Sequence, residues 1–179
     1  GVVANTFGNT VTISENDFKT QSNNIKILII AHEVGHVLGI GTWSTSNSVL
    51  KYENNQNFLS NTRYPKTAKA YIDNVRPSGV SLPGPPVEGG GHGSGSDLVH
   101  WENNSTYGMQ KDLMIFRIST SSTVISIVDL TFLQEIGKKV DLGQAQSLKA
   151  TLSSIVGEYI FEEEISPYSC GTCINCNKH

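Results

Sequence analysis

A chain of 179 residues is long enough for one domain with a sizeable core. Its formal net charge of -3 excludes a broad positive field for nucleic acid or an anionic membrane surface. No apolar run reaches the roughly 18–20 residues that span a bilayer, since the longest, 25–40, is interrupted by His32, Glu33 and His36.

In chain order, residues 10–13 alternate as a strand does, and Gly1-Val2-Val3 begins an earlier extended segment. Ser22-Asn23-Asn24 offers a helix N-cap. The stretch 25–38 is apolar nearly all round, which predicts a buried helix. Gly39 is the helix-terminating turn, with Gly41 beyond it. Residues 42–99 read as mostly irregular, with a short helix over 67–75 and a Pro- and Gly-rich loop over 76–96. Ser126 caps a helix predicted over 127–136 and ended by Gly137, and a second helix is predicted over about 144–160. From Glu162 the chain is polar, as a loose tail would be. With no internal repeat and no linker, the expected organisation is one domain over 1–161 and a cysteine-containing tail over 162–179.

The chemistry lies in His32-Glu33-Val34-Gly35-His36. On a helix, residues four apart share a face, so both imidazoles reach one metal ion. Glu33 stands beside the first ligand, where its carboxylate contacts a metal-bound water without taking a coordination site. Zinc lowers the pKa of that water to about 7. The carboxylate takes its proton as the water attacks a carbonyl and passes it to the leaving amine. The bland alternative is a buried helix that happens to carry these residues, but a lone carboxylate on an apolar helix is costly without a partner. Catalytic zinc takes three protein ligands and one open position. The third ligand is His92, His100 or a carboxylate.

The run from His32 to Gly39 resembles the metzincin pattern, in which a glycine turns the chain beneath the metal and a third histidine follows. Three residues after that glycine this chain has Thr42. Leishmanolysin-like peptidases carry a long insertion at this point, and the downstream residues are similar to theirs: Gly93-Ser94-Gly95-Ser96-Asp97-Leu98-Val99-His100-Trp101-Glu102, then Tyr107-Gly108, then Asp112-Leu113-Met114. The resemblance covers roughly residues 1–142. It implies that His32, His36 and His100 hold one catalytic zinc ion, that Glu33 is general base and then general acid, and that Met114 forms the Met-turn. It also implies an α+β, metzincin-like zincin: a central zinc-binding helix, a small twisted sheet, a long irregular insertion and a C-terminal helical part. Asp112 stands where a Glu is usual, and Phe116 where some metzincins carry an assisting tyrosine. Set against that family, this chain is expected to lack part of the usual N-terminal subdomain before His32.

The expected activity is zinc-dependent endopeptidase action on a protein or peptide substrate, with no nucleic acid partner. The family implies a secreted or cell-surface location. A different class of function is a catalytically inactive zinc-binding module used for adhesion or assembly, and a further one is a zinc hydrolase of small amides. Among other candidates, His92 reads better as a solvated loop residue, and Trp101 better as core than as cleft lining. Cys170, Cys173 and Cys176 with His179 have ligand-like spacing, but too tight for a structural zinc site, so loose or partner-bonded thiols are the preferred reading. Asn103 and Asn104 fit the glycan acceptor pattern, which is common by chance.

Overall fold

The computed structural model describes residues 4–45, 49–53, 55–89, 97–118, 123–145 and 168–169. It is a mixed α+β structure with small antiparallel sheets and few helices. Among the described residues no helix is long and apolar enough to cross a membrane.

Two strands, β1 (Ala4–Phe7) and β2 (Thr10–Ile13), form a hairpin in which Phe7 pairs with Thr10 across a turn at Gly8 and Asn9. Alternate residues of a strand face opposite sides, so Ala4 and Thr6 point together and both are buried. Ala4 packs with Ile25, Ile29 and Ile118 in a small second core. A short helix, α1 (Glu15–Lys19), leads to the long helix α2 (Asn23–Leu38). Ser22 caps α2 as its sequence predicts, with its hydroxyl accepting from the Ile25 amide.

The burial of α2 departs from expectation. Ile25, Ile29, His32, Glu33, Gly35 and His36 are buried, but Ile27, Ile30, Val34 and Leu38 are exposed by 38–63%. These four are spaced three or four apart and line the face opposite the histidines. The hairpin and the lower core between them cover one side of the helix, and an apolar sequence does not itself supply a second partner.

The region after α2 is more regular than its sequence suggests. Strands β3 (Leu50–Glu53), β4 (Gln56–Leu59) and β5 (Pro86–Val87) form an antiparallel sheet in that order. The expected helix is present as α3 (Pro65–Asn74), with Pro65 in the first turn, where its missing N–H costs nothing. Its open amides are met from the far helix, α4 (Ile127–Glu135). The Glu135 carboxylate accepts from the Lys66 amide at 3.0 Å, the Thr67 amide at 2.9 Å and the Thr67 hydroxyl at 2.7 Å. Ser126 and Asp129 close a reciprocal capping box on α4.

Trp43, Trp101 and Phe132 sit at the centre of the main core, the two indoles stacked with centroids 4.4 Å apart. Trp101 is fully buried, as core rather than cleft lining. Two further strands, β6 (Arg117–Ile118) and β7 (Tyr168–Ser169), pair antiparallel, so the tail is anchored at that point rather than loose throughout. Gln144 ends a single 3-10 turn, Leu142–Gln144. Residues 146–160 of the expected second helix, Gly1-Val2-Val3, His92, the three cysteines and His179 lie outside the described residues.

Candidate metal centre

Each of the three histidines reaches the centre from a different constraint. His32 and His36 come from adjacent turns of α2. The backbone around His100 is fixed by a ladder: the Glu88 amide donates to the His100 carbonyl, the Trp101 amide to the Met114 carbonyl, and the Glu102 amide to the Pro86 carbonyl, each at 3.0 Å. That ladder threads His100 between β5 and the Met114 turn, so 64 residues of separation from His36 close to a contact.

The three Nε2 atoms form a nearly equilateral triangle. His32 lies 3.1 Å from His36, His36 3.2 Å from His100, and His100 3.3 Å from His32. Among the described residues this is the one group of three His, Cys, Asp or Glu side chains close enough to share a metal.

The hydrogen bonds behind the rings fix what these atoms are. His32 Nδ1 lies 2.7 Å from the Leu113 carbonyl, and His36 Nδ1 lies 2.9 Å from the Ile40 carbonyl. A carbonyl only accepts, so both Nδ1 atoms carry the hydrogen and donate. Both Nε2 atoms then present lone pairs to each other. No proton lies between them, so the short Nε2 contact of His32 with His36 is not a hydrogen bond. Burial is the main cause that lowers His32 to about 3 and His36 to about 4, with the neighbouring His36 adding to the effect on His32. Neutral imidazoles whose lone pairs converge need a cation to be stable together. Imidazole nitrogens about 2.0–2.1 Å from one ion in a tetrahedral arrangement stand roughly 3.3–3.4 Å apart, close to the spacing here. The donor set therefore fits a metal ion.

The turn after α2 serves the site directly. Gly39 has φ +120°, a backbone most residues avoid, and its amide donates to the Gly35 and His36 carbonyls. This reversal brings the Ile40 carbonyl under His36. Met114 is buried directly beneath Gly35, and its amide donates to Asp112 Oδ1 at 2.7 Å.

Comparison of the chain with family models, curated proteins and solved structures finds no match. The three-histidine geometry is thus the firmest guide to what the molecule does.

The sequence singles out six residues here, and the fold gathers them all: His32, Glu33, His36, Gly39, His100 and Met114. Four other residues take part: Asp112, which the sequence marks only as a departure from the usual Glu, and Thr6, Glu88 and Asp129, which it does not single out. Thr6 Oγ1 lies 2.6 Å from Glu33 Oε2. Glu88 places Oε2 3.8 Å from His100 Nδ1, with both side chains buried. Asp112 and Asp129 form a buried carboxyl pair below the site. Burial, chiefly, and the Asp129 charge raise Asp112 well above the ordinary range, and burial raises Asp129 to about 6. Asp129 Oδ1 also accepts from Trp101 Nε1 at 2.8 Å, which ties the pair to the residue after His100. Phe116 is buried with its ring centroid 5.9 Å from that of His100.

Proposed function

We propose that this chain is a zinc-dependent endopeptidase of the leishmanolysin-like, metzincin type, acting on protein or peptide substrates at the cell surface or after secretion. The observation that carries the proposal is the convergence of three buried Nε2 atoms 3.1–3.3 Å apart, with a carboxylate one residue from the first.

In this reading His32, His36 and His100 hold the ion. The carbonyls of Leu113 and Ile40 lock the tautomer and ring direction of two of them. Bound there, zinc supplies a Lewis acid that acidifies water and polarises the scissile carbonyl. Glu33 accepts the proton of the attacking water and returns it to the leaving amine nitrogen, so the C–N bond breaks as a C–O bond forms. Met114 supports α2 from below at Gly35 and does not touch the chemistry.

Glu33 favours this reading over an inactive zinc-binding module. Its side chain is 1% exposed, and a domain used only for assembly has no use for a carboxylate held there against the cost of burial. The test is incubation of the zinc-loaded protein with an unfolded protein and with a panel of small amides. New internal N-termini in the protein substrate, abolished by a zinc chelator, support the endopeptidase. Cleavage of small amides alone supports another zinc hydrolase, and no cleavage with tight zinc binding supports the module.

A further inference from the structure

The Thr6 hydroxyl is 2.6 Å from Glu33 Oε2 and 3.2 Å from the carbonyl of the same residue. Both side chains are buried, Thr6 at 4% exposure and Glu33 at 1%. The contact spans 27 residues and joins β1 to α2 on the side of the helix that carries the metal centre. A hydroxyl can donate and a carboxylate can only accept, so Thr6 donates to Glu33. Hydrogen bonds to a charged acceptor are shorter and roughly twice as strong as neutral ones, and this one is short and shielded from water.

We propose that Thr6 is the positioning residue for Glu33, a role that rests on the reading of Glu33 as general base. Three bonds separate the carboxylate of a glutamate from its backbone, and a free side chain samples several rotamers. Fixing Oε2 against β1 removes that freedom and sets the plane of the carboxylate. Proton transfer then runs through Oε1. With the proton on Oε1, Oε2 remains an acceptor for the Thr6 hydroxyl, so the contact survives both halves of the reaction. No proton leaves Thr6 in either half.

The experiment compares Thr6→Val, which keeps the shape and removes the hydroxyl, with Thr6→Ser, which keeps the hydroxyl. With zinc-loaded enzyme and an unfolded protein substrate, Thr6→Val is expected to lower kcat about tenfold to a hundredfold, with KM and zinc affinity close to wild type. Thr6→Ser is expected to restore most of kcat. A second readout uses the metal-free protein: thermal midpoints of Thr6→Val, Glu33→Gln and the double variant form a cycle, and the double variant should lose less than the two single losses combined. Wild-type kcat in Thr6→Val, equal losses in the Val and Ser variants, or a strictly additive cycle overturns the role of Thr6 while leaving the peptidase reading in place. A wild type that cleaves nothing, with a coupled cycle, instead overturns the peptidase reading, and the catalytic role of Thr6 falls with it.

Discussion

Met114 occupies the space that a side chain on Gly35 would need: a Cβ built on Gly35 meets the Met114 sulfur in overlap and stands 2.9 Å from its Cε. The glycine between the two histidines of α2 is therefore there to admit the methionine from below. Gly35→Ala is expected to push α2 and the Met114 turn apart, at about 1–3 kcal/mol for an overpacked site, and to weaken zinc binding because His32 leans on the Leu113 carbonyl of that same turn. Met114→Ala made in the Gly35→Ala background should recover part of the lost thermal midpoint. Simple additivity of the two losses would contradict the contact.

Glu88 Oε2 lies 3.8 Å from His100 Nδ1, inside the range of a buried charge interaction. In the proposed zinc centre this carboxylate is expected to steady His100, the one histidine that does not come from α2, and to raise its donor strength. Glu88→Gln is expected to lower zinc affinity about tenfold, measured by competition with a chromophoric chelator. Unchanged affinity would show that the backbone ladder alone places His100.

Asp112 and Asp129 give stability a pH dependence. Both carboxyls are raised in the folded chain, Asp129 from 3.8 to about 6, so the folded state keeps protons that the unfolded state has released. Where the native state holds more protons, stability falls as pH rises. The stabilisation from these protons is complete below the unfolded value near 3.8 and is lost as pH climbs through about 6 and onward. Asp112→Asn keeps an oxygen for the Met114 amide and offers Asp129 a permanent N–H donor. Thermal midpoints taken across pH 4–8 should flatten in that variant, and a slope equal to wild type would contradict the account.

The parts legible in the sequence are those whose residue types admit few alternatives. A Ser cap, a helical run and a glycine stop define α2, and the same signals, Ser126 and Gly137, bracket α4. The pairing of His32 with His36 on one helix face follows from their spacing alone. His100 was chosen over His92 and a carboxylate by resemblance, and the fold brings it to the other two. The sheet of β3, β4 and β5 was not legible, because its strands are two to four residues long and β4 begins with a buried Gln56 whose amide donates to the Val87 carbonyl. Thr6 escaped notice because the inward face of β1 reads Ala4 and Thr6. That is a weak apolar pattern, and it is weak because one of the two faces a carboxylate. Glu88 and the pairing of Asp112 with Asp129 are not legible for the general reason that carboxylates are expected at the surface. The exposed stripe of Ile27, Ile30, Val34 and Leu38 was misread because a uniformly apolar helix says nothing of how many of its faces are covered.

The central claim is that Glu33 works on a water at a three-histidine zinc centre, and the most direct measurement compares wild type with Glu33→Ala on an unfolded protein substrate, both loaded with one equivalent of zinc. The account predicts chelator-sensitive cleavage by wild type, loss of at least about a hundredfold in kcat for a missing general base, and zinc affinity in the variant close to wild type. Cleavage by Glu33→Ala at the wild-type rate would contradict it.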